Sequence, residues 1–267
     1  MTQAQKLDRM QLLAKIGYAT KGLLYLIVGV LAVGYVIGMG GRLTDAQGAV
    51  QLLHRQPFGT LLVWLTAGGL GAYAVWRLVQ AIWDPESGKK DAKRLGQRVG
   101  YAVSGAIHAA LCVAVVQLAL GAHHAAHGRV TYVGKVLAWP GGTFVVAGVG
   151  IGVLVVGAYE LYQAYSARFM VRLTTSTMSA RERRWAERAG RAGLLAHGLV
   201  FAVIGWFLER AAASGHSSQT RGVGGALHEI ASRSHSAVVV GFVAVGLVGY
   251  AIYLFFTARY LRMGWDA

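Results

Sequence analysis

Five side chains that can carry charge lie inside or at the edge of long apolar stretches: Lys21, Arg77, His108, Glu160 and His197. Within hydrocarbon such groups are costly unless they are paired, so each is a candidate for ligand binding, proton transfer or helix pairing. Glu160 and Arg77 occupy nearby register positions in two equivalent helices. We expect an ion pair between them; a proton or ligand site is the alternative.

The two imidazoles lie at different repeat positions. His108 lies deep in its apolar stretch, where it is either a core residue, a group that titrates near neutral pH or a haem ligand together with His197. His197 takes the place that Lys21 and Ser104 hold in the other repeats, which indicates that polarity is tolerated there rather than required. Lys21 lies near the end of its stretch, and we expect its amine to extend to the headgroup region.

A histidine motif, HHAAH, supplies His123, His124 and His127. The first and last of these would share a helix face and suit zinc or copper, although the flanking Gly121 and Gly128 disfavour a helix. A metal site and a plain loop both stay open. With Cys112 as the single cysteine, no intrachain disulfide and no cysteine metal cluster can form.

Enzyme signatures are missing from the sequence. It contains no HExxH motif, no phosphate-binding glycine loop and no paired carboxylates. We therefore expect a protein that is not an enzyme and needs no cofactor.

The composition shows what must position these residues. Hydrophobic residues make up 55% of the 267 residues and charged residues only 14%, a deficit concentrated in six runs of about 20 residues each. Runs of this length predict transmembrane helices, and the first is expected to be a retained span rather than a signal peptide. The runs lie near 22–41, 58–76, 99–121, 141–159, 192–208 and 236–256.

The basic residues are unevenly distributed between the two sides of the predicted membrane. The termini and the even-numbered connections carry 17 Lys and Arg residues, whereas the odd-numbered connections carry six. The positive-inside rule then predicts cytoplasmic termini, and contacts with anionic lipid headgroups follow. The net charge of +15 is explained by topology rather than by nucleic-acid binding.

One pattern occurs three times along the chain. A basic residue is followed two positions later by a glycine and five positions after that by another, and each unit later carries Gly-x-Tyr or Gly-Tyr. These residues are Gly17, Gly22 and Tyr73; Gly100, Gly105 and Tyr159; and Gly193, Gly198 and Tyr250. The glycines and tyrosines of this signature are predicted to be packing residues, with seams at the glycines where helices approach closely. Anchoring at the membrane interface is also expected of the repeated aromatic residues.

The repeats fix the expected architecture. Each unit, over residues 10–84, 91–169 and 178–260, is a hairpin of two transmembrane helices. Because each unit crosses the membrane twice, all three are parallel, which predicts an all-α integral membrane protein of six spans around a pseudo-threefold axis. A short surface helix is expected between the spans, with Val223, Ala226, Leu227 and Ile230 on one face in the third unit.

The repeated Gly-Tyr-Ala-x-x-Gly segment and the later Gly-x-Tyr resemble the bacterial family of unknown function numbered 1206, in which such a unit generally occurs three times. The third repeat departs from that pattern by placing Leu194 where the tyrosine is expected. The resemblance implies a multi-pass protein of the bacterial inner membrane and implies no chemistry.

The central turns of the predicted spans are nearly free of polar residues, which disfavours a continuous hydrophilic path. We therefore expect a scaffold that binds lipid or a membrane-protein partner. The alternatives are a small channel or transporter for an ion or apolar solute, and a metal- or haem-binding membrane protein.

Overall fold

The computed structural model describes residues 3–82, 92–121, 128–216, 218, 223–232 and 236–261. In this part of the chain turns and loops join the helices, and the one β-bridge described pairs Leu173 with Leu261. The helices are α1 (Gln3–Val36), α2 (Ala46–His54), α3 (Gly59–Ile82), α4 (Ala92–Ala119), α5 (Gly128–Leu137), α6 (Gly142–Ser166), α7 (Ala180–Ser214), α8 (Val223–Ala231) and α9 (Ser236–Tyr260). Two short 3₁₀ turns, Arg168–Arg172 and Thr175–Thr177, connect α6 to α7.

Six of these helices are long and apolar enough to cross a membrane: α1, α3, α4, α6, α7 and α9. They coincide with the six predicted runs, so the all-helical six-span architecture is confirmed. Pro57 and Pro140 lie two residues before the first residues of α3 and α6.

The basic segment before the fifth span is continuous with it in α7. Ser179 and Glu182 form a capping box, in which the Glu182 amide donates to the Ser179 hydroxyl (3.2 Å) and the Ser179 amide donates to the Glu182 carboxylate (2.9 Å). The 35 residues of α7 extend about 50 Å, well beyond a hydrocarbon core of about 30 Å. The first turns of α7 therefore lie outside the membrane core.

The short helices between spans cover the bundle. Ala49 and Val50 of α2, and Ala226 and Leu227 of α8, are at most 1% exposed and join the apolar core. The third-unit helix expected over residues 223–230 is present as α8, but its buried residues pack on protein rather than on lipid. Ile230 lies outside the described side chains.

The six spans form an open arc in the order α4, α3, α1, α9, α7, α6, with each helix packed against the next. Over residues 92–119 and 142–166, which the structure describes, α4 and α6 make no comparable packing contact. Repeats one and three are therefore closed hairpins, whereas the two helices of repeat two stand apart. We call the gap between α4 and α6 the lateral opening.

Glycine explains the three interfaces between repeats. A methyl group on Gly22 would lie 3.0 Å from the Phe255 ring, and one on Gly105 would lie 2.8 Å from the Leu78 side chain. One on Gly198 would lie 2.9 Å from the carbonyl oxygen of Gly157. The predicted seam at this glycine is thus present in all three repeats, as a pseudo-threefold arrangement requires.

The first glycine of the signature, at Gly17, Gly100 and Gly193, packs differently in the second repeat than in the other two. A methyl group on Gly17 would lie 2.6 Å from Cβ of Tyr73, and one on Gly193 would lie 2.8 Å from Cβ of Tyr250. The equivalent Gly100 faces open space, and its expected partner Tyr159 is 48% exposed. The predicted packing role of Gly100 is therefore wrong for this structure.

Gly148 and Gly152 of α6 also face open space. The prediction of interface anchoring needs correction as well. Tyr73 of repeat one is 1% exposed and Tyr250 of repeat three is 5% exposed, so neither can anchor its helix at the membrane interface. Only Tyr159 of repeat two is exposed enough for that role. In repeats one and three a glycine packs directly on the backbone of the tyrosine. The two helices are therefore close together, and the tyrosine lies buried in the bundle.

Replacing Gly17 or Gly193 by leucine should overpack a closed seam and lower the free energy of unfolding by about 1–3 kcal/mol. The matched change Gly100→Leu should cost less than about 0.5 kcal/mol, as for an ordinary exposed site. Thermal denaturation of the purified protein, followed by tryptophan fluorescence, measures the difference. A loss at Gly100 equal to that at Gly17 would mean that the second hairpin is closed.

Candidate functional site

One continuous series of polar and aromatic contacts follows the arc from α4 to α6. Every one of the six spans contributes to it, and the two ends lie on the helices that border the lateral opening. We call this series the polar chain; its members are His108 (α4), Tyr73 (α3), Lys21 and Tyr25 (α1), Tyr250 (α9), His197 (α7) and Glu160 (α6).

The Glu160 end is a hydrogen-bonded triad. The His197 Nδ1–H donates to the Glu160 carboxylate across 2.5 Å, and His197 Nε2 lies 2.6 Å from the Tyr25 hydroxyl. With a neutral imidazole the Tyr25 hydroxyl donates to Nε2; with a charged imidazole the direction reverses. Either way, one imidazole links a carboxylate on α6 to a phenol on α1.

Aromatic packing fixes the His197 ring. It stacks on Tyr250, with centroids 4.3 Å apart and planes 17° apart, and its centroid lies 4.4 Å from that of Phe201. His197 is 2% exposed, while the Glu160 side chain keeps 15% exposure. The interpretation that polarity at this repeat position is merely tolerated is wrong, because His197 holds three helices together.

Lys21 occupies the same repeat position in α1 and also turns inward. Its amine lies 5.3 Å from the Tyr73 ring centroid, 5.8 Å from that of Tyr25 and 5.7 Å from that of Tyr250. The three rings belong to α1, α3 and α9, so the amine sits among helices. The prediction that Lys21 extends to the headgroup region is therefore wrong.

Arg77 lies beside the polar chain in a group of phenols. Its guanidinium donates to the Tyr73 hydroxyl (2.7 and 2.9 Å), to the Tyr18 hydroxyl (3.1 Å) and to Oε1 of Gln80 (2.9 Å). The predicted pair with Glu160 is replaced by the pair between Glu160 and His197. The reason is topological: α6 packs on α7, whereas α3 packs on α4 and α1.

His108 forms the other end of the polar chain. Its Nδ1–H donates to the Ser104 carbonyl across 2.7 Å, and its ring centroid lies 4.5 Å from that of Tyr73. The residue is half-buried on a helix that borders the lateral opening. Paired haem ligation with His197 does not fit, since both ring nitrogens of His197 are engaged.

The predicted histidine metal site cannot be placed. His123, His124 and His127 lie outside the described residues. Within the described part of the chain, no group of three His, Cys, Asp or Glu side chains could hold a metal ion.

Sequence reasoning did not single out Tyr18 and Tyr25, and it assigned Tyr250 only to the repeat signature. Tyr25 and Tyr250 contact His197, and Tyr18 binds Arg77. A signal for the correct partner of Glu160 was available: consecutive helices are usually neighbours in space, and α7 directly follows α6. That rule favours a partner on α7 over one on α3.

The geometry defines the class of protein: a six-span membrane protein of three repeated hairpins, with the two helices of one hairpin open onto a partly buried polar chain. The chain matches the family described as Domain of Unknown Function (DUF1206) at residues 16–84, 99–167 and 192–261, and it belongs to that family. It is similar to an "Uncharacterized protein YxxB" of Bacillus subtilis (strain 168), with 31% identity over 252 residues, which is 94% of this chain and 91% of that protein. No solved structure matches the chain.

The coupling between Glu160 and His197 can be measured with a double-mutant cycle. Glu160→Met and His197→Leu should each leave a buried polar partner unsatisfied, at a cost of about 1–3 kcal/mol. The double variant should lose less than the two losses added together, by about 0.5–3 kcal/mol. Thermal denaturation in one detergent gives all four stabilities.

The cycle with Arg77→Met in place of His197→Leu is the control. Glu160 and Arg77 share no partner, so their effects should add to within about 0.5 kcal/mol. Strong coupling of Glu160 to Arg77, and none to His197, would contradict the observed pairing.

Proposed function

We propose that this protein binds an amphiphilic molecule of the membrane, which enters between α4 and α6 and places its polar end against the polar chain. The observation that carries the proposal is the position of the lateral opening: the polar chain ends on the two helices that border it. An amphiphile matches this arrangement because the opening leads from the hydrocarbon to polar groups.

The flanks of α4 and α6 suit an apolar tail. Val103 and Ile107 of α4 and Val155 and Val156 of α6 are between 41% and 61% exposed. An alkyl chain lying along these residues would exchange contacts with bulk lipid for contacts with protein at little cost. Selectivity must therefore come from the head and the polar chain.

Binding is proposed here rather than catalysis. The single carboxylate of the polar chain already accepts from His197, and the guanidinium of Arg77 is engaged by phenols. Six members of the polar chain fall into three pairs of matching repeat positions, namely Lys21 with His197, Tyr25 with His108, and Tyr73 with Tyr250, and Glu160 directly follows the tyrosine position of repeat two. The polar chain is therefore expected to form a layer about one helical turn thick. A layer supports a binding site better than it supports a transmembrane path for ions.

The membrane and the orientation are part of the same proposal. The excess of basic residues at the termini and even-numbered connections favours a bacterial cytoplasmic membrane with both termini in the cytoplasm. Exposed arginines early in α7, including Arg181, Arg184 and Arg188, favour contact with anionic headgroups there.

Orientation is testable in intact cells. In a background with Cys112 replaced by serine, a cysteine at Ser179 should react with a maleimide only after the cytoplasmic side is exposed. Labelling in intact cells by an impermeant maleimide would contradict the orientation. A cysteine at Asp45, at the start of α2, is the control that should label from outside.

The binding proposal is tested with a photoactivatable phospholipid in reconstituted protein. Labelling of α4 and α6 should be saturable by unlabelled lipid, and Gly100→Phe should reduce it several-fold by filling the opening. Val245→Phe, at an exposed position of α9, which does not border the opening, adds similar bulk and should leave labelling unchanged. Equal, non-saturable labelling of all six spans, or no effect of Gly100→Phe, would contradict the proposal.

A further inference from the structure

The charges around the polar chain do not balance. Lys21 and Arg77 are cations, and among the residues that the structure describes Glu160 is the one carboxylate in contact with the polar chain. With His197 neutral the group carries one surplus positive charge, and with His197 protonated it carries two. In a low-dielectric interior such a surplus is strongly unfavourable.

Lys21 is the cation whose charge lacks compensation. The ion pairs among described residues are Arg191 with Glu187 and Glu160 with His197, so Lys21 has no carboxylate partner in that part of the chain. Three aromatic rings at 5.3–5.8 Å give partial compensation through cation–π attraction, which is weaker than an ion pair. Glu160 is held by His197 instead.

Arg77 differs from Lys21 in its surroundings. Its donors reach two phenols and an amide oxygen, and three rings lie within 5.7 Å of its guanidinium carbon. A guanidinium tolerates such neutral acceptors because its charge is spread over a plane. A primary ammonium concentrates its charge on one atom, so Lys21 is where an incoming anion gains most.

We infer that Lys21 is the recognition residue of an anion site, which takes a phosphate or carboxylate group at the inner end of the lateral opening. The inference rests on the proposed function, whose amphiphile it specifies as anionic. The same chemistry could also be supplied from the aqueous side by free phosphate. The Tyr25, Tyr73 and Tyr250 rings would then surround the bound ion pair and exclude water from it.

The experiment compares lipid selectivity in nanodiscs that contain equal amounts of phosphatidylglycerol and phosphatidylcholine. Native mass spectrometry counts each lipid retained by the protein. The wild type should retain phosphatidylglycerol preferentially, Lys21→Met should lose that preference about tenfold, and Lys21→Arg should largely restore it. Arg55→Met removes one exposed charge just after α2, away from the polar chain and from the basic surface of α7, and is the matched control, with preference unchanged. An unchanged preference in Lys21→Met, or an equal loss in Arg55→Met, would overturn the inference.

A second arm identifies an aqueous source. In lipid-free detergent, inorganic phosphate should raise the melting temperature of the wild type and of Lys21→Arg, but not of Lys21→Met, if the site also accepts free anions. Phosphatidylglycerol selectivity without this shift assigns the site to a lipid head. If the wild type shows neither stabilisation by phosphate nor selectivity for phosphatidylglycerol, the anion site is overturned.

Stability separates recognition from a structural role. Without a bound anion, Lys21→Met removes a half-buried charge that has no carboxylate partner among the described residues, so its melting temperature in lipid-free detergent should equal or exceed that of the wild type. A clear drop would mean that Lys21 serves folding. Lys21→Gln gives a second uncharged variant should the methionine variant fail to fold.

The two proposals fail in different ways. A neutral photoactivatable diacylglycerol should label the opening equally in the wild type and in Lys21→Met if the opening binds amphiphiles. Saturable labelling by this probe without any anionic preference would overturn only the anion site. Absence of saturable labelling by neutral and anionic probes alike would overturn the proposed function itself.

Discussion

Close approach of helix backbones at glycine is the constraint on which the rest of this structure depends. In lipid no hydrophobic force draws helices together, so packing at small residues must supply the cohesion. Gly22, Gly105 and Gly198 provide this contact at all three interfaces between repeats. A second set, Gly17 and Gly193, closes the hairpins of repeats one and three. Gly100 does not, and the resulting opening exposes the interior to lipid.

The three repeats share glycines at the positions where helices pack, but they differ in the side chains that form the polar chain. Lys21, Ser104 and His197 share one repeat position, and Tyr25, His108 and Phe201 share the next along the helix. Since matching positions lie at one depth, side chains of unlike chemistry meet in a single layer. Only the second repeat places a carboxylate, Glu160, beside its signature tyrosine. Repetition thus builds the bundle, while divergence builds the polar chain.

The fold was predictable from this sequence because its determinants are local. Six charge-free runs predict six spans, and the repeated glycines predict which helices approach. The state of the second hairpin was not predictable, since Gly100 carries the same signature as Gly17 and differs only in what packs against it. The predicted partner of Glu160 was also wrong. Equivalent positions in the repeats favoured Arg77, whereas the contact of α6 with α7 brings Glu160 to His197.

Lys21 illustrates a related limit. A lysine near the end of an apolar run ordinarily extends to the headgroups. Here the rings of Tyr73 and Tyr250, which come from distant parts of the chain, provide an alternative that no local pattern encodes. Long-range aromatic contacts decided the direction of this side chain.

The most direct test of this account is a density map of the protein crystallised from a lipid phase with its native lipids retained. The account predicts separated α4 and α6, with elongated density between them that ends at the Lys21 amine. Helices α4 and α6 packed together, with Gly100 against Tyr159 as Gly17 packs against Tyr73 and no density at Lys21, would contradict it.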